Sequence, residues 1–151
     1  MNPSSSEIAT ARFAVSYIDS ILADGNYNSL VEISTIVCSS SRFSAYAPDY
    51  QLPQPIFLFG ETLLWFAQAI RSGVSTYYEA TPIARQEAMH DALLALAPAH
   101  YATSYRIGME AWKDPARMSQ LDAWIEEHDK LTNSWLRTLA NSHRTLILEL
   151  S

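Results

Sequence analysis

Ile56-Phe57-Leu58-Phe59-Gly60-Glu61-Thr62-Leu63-Leu64-Trp65-Phe66-Ala67-Gln68-Ala69-Ile70-Arg71 is the stretch that decides the fold. Its large apolar side chains, Ile56, Phe57, Leu58, Phe59, Leu63, Leu64, Trp65, Phe66 and Ile70, occupy nearly every direction around a helix. A helix without a polar face is buried and central. Glu61 and Gln68 are its few polar members, and Arg71-Ser72-Gly73 ends it.

Outward from this centre the punctuation is helical. Towards the N-terminus, Ser4-x-x-Glu7 is a capping box, followed by Ile8, Ala11, Val15, Ile18 and Leu22 at helical spacing. Asp24-Gly25-Asn26 stops that helix. Ser29-x-x-Glu32 is a second capping box and predicts a short helix to about Cys38, although its β-branched content also suits a strand. Residues 39–55 form one long irregular stretch with Pro48, Pro53 and Pro55, and with Phe43, Tyr46 and Tyr50. Loops of that length carry function or motion. The plain alternative is that the rings fold back over a core edge.

Towards the C-terminus, Thr81-Pro82 predicts the next helix, with threonine as N-cap and Met89, Leu93 and Leu96 inward. Pro98 breaks it, and a further helix shows Tyr101, Tyr105, Met109 and Trp112 on one face. Asp114-Pro115 breaks again, and Ser119-x-x-Asp122 is another capping signature. Leu121, Trp124, Ile125, His128, Leu131, Trp135 and Leu139 then form the stripe of the last long helix. Asn141-Ser142 ends or bends it before Leu146, Ile147 and Leu150. The architecture expected is all-α, a single domain of six or seven helices in a compact bundle.

Composition narrows the function. The chain has 151 residues, of which 48% are apolar, enough for one stable core. Ten basic against 16 acidic residues give a net charge of −6, which disfavours direct nucleic-acid binding. Only 17% of residues are charged, below the usual ~25%. The single cysteine, Cys38, excludes an internal disulfide and a Cys-rich zinc site. Residues 1–13 lack the pattern of a signal peptide. The longest uncharged gap, Asp91 to Arg106, is interrupted by Pro98 and His100, so no membrane span is expected. A cytoplasmic protein is the expectation.

Catalytic patterns are sparse. Glu87-x-x-His90 is half of a di-metal carboxylate pattern whose second half is missing, and no His-x-x-x-His pair exists. Glu87, His90 and Asp91 read as a solvated face. No metal and no cofactor are expected. No serine sits in Gly-x-Ser-x-Gly, and no glycine-rich phosphate loop is present. Cys38 lies on an apolar segment where a buried inert thiol is usual. His128 falls on the apolar stripe.

Acidic spacing is the remaining signal. Asp122, Glu126 and Asp129 recur at i, i+4, i+7. At 1.5 Å rise per residue they lie about 6 and 4.5 Å apart along the axis. That is comparable with the spacing of successive DNA phosphates. Glu127, Glu110 and Asp114 would widen the patch, whereas Lys130, Lys113 and Arg117 dilute it. The plain alternative is a solvated helix face.

From Gln68 onward the chain resembles the DNA mimic protein 19 family, small helical bacterial proteins. In that family a helix ends in Glu-Val-x-Asn-Gly-Gly, followed by a Gln-Tyr-Phe-x-Asn-like run. Here the register reads Gln68-Ala69-Ile70-Arg71-Ser72-Gly73-Val74, then Thr76-Tyr77-Tyr78-Glu79-Ala80. Ala92-Leu93-Leu94-Ala95-Leu96-Ala97-Pro98-Ala99 stands where the family has Ala-Leu-x-x-Ile-Gly-Ala, and Leu121-Asp122-Ala123-Trp124 resembles its closing helix. Arg71 and Ser72 replace the Asn-Gly pair, Ala80 an asparagine and Pro98 a glycine. The likeness covers about residues 56–150. It implies a dimeric, non-enzymatic protein whose acidic side chains imitate phosphates and sequester a DNA-binding regulator. The acidic positions themselves come from spacing, not from the family signature.

Three functions are therefore open. The first is a protein-binding module, in its sharpest form a DNA mimic acting through Asp122, Glu126 and Asp129, then Glu110, Asp114 and Glu127. Apolar Leu146, Leu148 and Leu150 would serve a homodimer. The second is an immunity- or antitoxin-like plug that uses the 39–55 loop and its tyrosines. The third is a small enzyme or ligand carrier with an interhelical pocket lined by Glu61, Tyr77, Tyr78 and His90.

Overall fold

The computed structural model describes residues 13–151. Among them are eight helices and no strand: α1 (Val15–Ala23), α2 (Tyr27–Cys38), α3 (Gln54–Ser72), α4 (Val74–Ala80), α5 (Ile83–Leu96), α6 (Ala99–Ala111), α7 (Pro115–Ser142) and α8 (Arg144–Leu150). The fold is an all-α, single-domain bundle. The Ser4–Glu7 capping box, with Ile8 and Ala11, lies outside the described residues. None of the described helices is long and apolar enough to cross a membrane.

The central stretch takes the central place. α3 packs on α2, α4, α5 and α7. It buries Ile56, Phe57, Leu58, Phe59, Glu61, Thr62, Leu63, Trp65, Phe66 and Ala69. Its apolar girdle is not complete, because Leu64 and Ile70 are exposed.

Eight helices stand against the expected six or seven, and two chain breaks account for the difference. At Gly73, φ is +91°, a left-handed angle that glycine adopts without a Cβ penalty. The chain turns there and resumes as α4, whose seven residues are too few to show a periodicity. His143 likewise separates α8 from α7.

Several caps differ from the expected ones. The N-cap of α2 is Asn26, whose side chain accepts from Ser29 N, so the helix starts before the Ser29–Glu32 box. Thr81 does not cap α5; its hydroxyl donates to the Tyr77 carbonyl at the end of α4. Pro82 precedes α5 instead, as Pro53 precedes α3 and Pro98 precedes α6. Asp114 caps α7, accepting from Ala116 N and Arg117 N, with Pro115 at the first turn; Ser119 is already inside the helix. An Asp-Pro pair supplies both an acceptor and a fixed φ, and so outcompetes the later serine.

The buried stripe of α7 also differs. It runs Met118, Leu121, Ile125, Thr132, Leu136, Leu139 and Ala140. Leu131 is 58% exposed and stands outside it. Trp124, His128 and Trp135 are half-buried on one flank, next to α6. Asp122, Asp129 and Asn133 are half-buried on the other, next to α3 and α4. On α5, Met89 and Leu93 are buried as expected, but Leu96 is exposed. In α8, Leu150 is buried and Leu146 and Leu148 are half-buried, so these leucines largely close this chain's own core.

The 39–53 segment folds back as a knot of turns. Phe43 stacks on Tyr50 at 5.0 Å, and Tyr50 meets Phe57 at 5.9 Å. Arg85 of α5 donates to the carbonyls of Ala45, Ala47 and Pro48 at 2.8, 2.9 and 3.1 Å. Its guanidinium also lies 4.0 Å from the centre of the Tyr50 ring. Only Tyr46 of these aromatics stands out in solvent, 98% exposed.

Candidate functional site

The six acidic candidates do different things. Asp122 turns towards the start of α4, where its Oδ1 accepts from Val74 N at 2.8 Å. Asp114 is the N-cap of α7. Glu110 accepts from Arg106 Nε at 2.7 Å, an i,i+4 ion pair that lowers its carboxyl pKa. Glu126 and Glu127 are exposed. Asp129 alone lines a groove.

That groove, of about 330 Å³, opens between α3 and α7 beside the start of α2. α3 contributes Leu63, Phe66, Ala67, Ile70 and Arg71, and α7 contributes Asp129, Thr132, Asn133 and Leu136. Residues 63, 66, 67 and 70 have the i, i+3, i+4, i+7 spacing of one helix face, and so do 129, 132, 133 and 136. The groove therefore follows one seam for about two turns, roughly 10 Å at 1.5 Å per residue. Tyr27 closes one side and is 42% exposed; Ile70 is 53% exposed. The floor is apolar, and the cation Arg71 and the anion Asp129 both line it.

The expectation of a pocket around Glu61 is answered differently. Glu61 is 1% exposed and sits inside the core. Tyr77 and Tyr50 donate their hydroxyls to its two carboxyl oxygens, Tyr50 at 3.2 Å. Tyr77 OH in turn lies 2.8 Å from Tyr105 OH. Burial raises the Glu61 pKa, against the opposing effect of the tyrosine bonds and Arg85. Burial and the neighbouring carboxyl push Tyr77 well above its ordinary value, and burial raises the Cys38 thiol. The cluster ties α3 to α4, α6 and the 39–53 segment. A second, smaller hollow of about 180 Å³ is lined by Asp49, Gln54, Phe57, Ala88 and Asp91. Neither hollow is lined by Glu61, Tyr77, Tyr78 or His90. His90 is half-buried on α5.

Sequence reasoning missed Tyr27, Ile70, Arg71 and Leu136 as a set. The legible signal was Ile70, which stands outside the inward residues of α3 once Glu61 is placed inward. Comparison of the chain with protein-family models, with curated proteins and with solved structures finds no match.

Proposed function

We propose that the chain is a non-enzymatic protein-binding module that receives an amphipathic helix in the groove between α3 and α7. The observation that carries this reading is the groove itself: an open apolar seam two turns long, with Arg71 and Asp129 both among its lining. Amphipathic helices dock in such seams through anchors at i, i+3 and i+4. At about 330 Å³ the groove is at the small end of the range for ligand sites, ~300–1,000 Å³, and suits one or two anchoring side chains. The partner helix carries an apolar anchor flanked by an acid for Arg71 and a base for Asp129. Opposite charges of this kind fix register and speed encounter.

The reading does not depend on the likeness to the DNA mimic family, to which the comparisons add no support. An acid array would need Asp122, Asp114 and Glu110 free, and each is engaged within the chain. Glu126, Glu127 and Asp129 are what remains for that alternative.

A photo-cross-linking residue at position 70 tests the proposal in the native cytoplasm, with position 94 on α5 and position 46 in the loop as comparisons. A discrete adduct at 70, weakened by Arg71→Glu and restored by a charge-reversed partner, supports it. Adducts at 46 but not 70 favour the plug, and adducts competed by duplex DNA favour the mimic; either overturns the groove reading.

A further inference from the structure

The other flank of α7 carries a separate feature. His128 stacks on Trp124 with ring centroids 4.3 Å apart and planes 22° apart. From α6, the exposed His100 brings its ring to 5.6 Å from His128 and 6.0 Å from Trp124. His128 Nδ1 lies 2.7 Å from the Trp124 carbonyl oxygen. A carbonyl only accepts, so Nδ1 is the nitrogen that bears the proton in the neutral ring. The lone pair is then on Nε2. A backbone carbonyl that fixes tautomer and ring orientation in this way is the usual outer support of a metal-ligating histidine.

The spacing suits two ligands of one ion. With metal–nitrogen bonds of about 2.0–2.1 Å, two coordinated imidazoles hold their centroids roughly 5 Å apart. A small side-chain adjustment of His100, which is exposed, closes the difference from 5.6 Å. We infer that His100 and His128 form a two-imidazole site for a divalent transition-metal ion on the α6–α7 surface. Imidazole suits copper, nickel and zinc, and Cu²⁺ binds tightest in that series. Among the described residues no group of three His, Cys, Asp or Glu side chains converges. The site is therefore open, with its remaining positions left to water or to a donor from another molecule, unlike a closed structural centre. It lies apart from the groove, and its test does not depend on the docking proposal.

The test is a titration of the full chain with CuCl₂, followed by tryptophan emission and by calorimetry. One equivalent is expected to quench emission, because Trp124 stacks on a ligating ring. His100→Ala and His128→Ala are each expected to weaken binding by at least about tenfold, the scale on which even outer-sphere losses act. His90→Ala and His143→Ala are expected to leave it unchanged. Circular dichroism checks the fold of His128→Ala, and His100→Ala, an exposed change, decides the matter by itself. Copper binding that survives His100→Ala undiminished, or quenching that follows His90 or His143 instead, overturns the inference.

Discussion

Gly108→Ala gives the sharpest test of the packing between α4 and α6. In an exposed helix this change stabilises by about 0.8–1.0 kcal/mol, because glycine is the poorer helix former. Here a β-carbon at position 108 would fall inside the Tyr78 ring, against Cζ, Cε2 and the hydroxyl. The ring has nowhere to go. It is 2% exposed, its centroid lies 5.1 Å from that of Tyr77 and 5.4 Å from that of Tyr105, and its hydroxyl donates to the Tyr105 carbonyl at 2.9 Å. Overpacking costs about 1–3 kcal/mol. Breaking the hydroxyl bond strands a buried group at about 1–3 kcal/mol more. Set against the propensity gain, the net is a destabilisation of about 1–5 kcal/mol, built from those same terms. For a chain of this size each kcal/mol lowers Tm by about 2–4 °C. Urea unfolding at constant m-value is the assay. In a Tyr78→Leu background the clashing atoms are absent, so Gly108→Ala should change sign and stabilise. A neutral or stabilising Gly108→Ala in the otherwise unaltered chain would refute the reasoning.

Two further outcomes follow from the carboxyls of Glu61 and Asp122. The pKa of Glu61 is raised in the folded state, so its contribution to stability is fully present below its unfolded value of 4.5 and is lost as pH rises through the folded value; Glu61→Gln should remove that pH-dependent component from denaturation curves, and an unchanged profile would contradict the assignment. Asp122→Ala leaves the Val74 N–H at the start of α4 without its acceptor and should cost about 0.5–2 kcal/mol, as cap losses do; hydrogen exchange of the α4 amides should rise together with the drop in stability.

The fold was legible where a single physical cause dominated. The run from Ile56 to Ile70 could bury itself only as a central helix. Pro98 and the Asp114-Pro115 pair could only break helices. Where two signals competed, the reading slipped. Ser29 and Ser119 are capable caps, but Asn26 and Asp114 come earlier and serve better. α4 escaped notice because a seven-residue helix has no period to read.

Site residues were harder still. A spacing of i, i+4, i+7 puts Asp122, Glu126 and Asp129 on one side of α7 but does not say what faces them. The neighbour of Asp122 is the backbone of Val74, and Asp129 shares a groove with Arg71. Tyr27, Ile70 and Leu136 meet only after three helices pack, and His100 and His128 only after α6 lies along α7. No one-dimensional motif encodes such meetings. Glu61 was singled out as a polar member of an apolar run. That its partners are Tyr50 and Tyr77, the latter in turn meeting Tyr105, required the tertiary structure.

The grip of Arg85 on the 39–53 segment has a consequence for how that segment opens. Three carbonyls and one aromatic face converge on a single guanidinium. A segment held by many scattered contacts frays piecemeal, from its weakest point. The turns from Ala45 to Pro48 share this one anchor, so they open together when it lets go, and their amides report one shared opening free energy in native-state hydrogen exchange. That side chain belongs to α5 and not to the segment, so a displacement of α5 would be felt at Tyr46, the exposed tip, without any residue between 39 and 53 being touched.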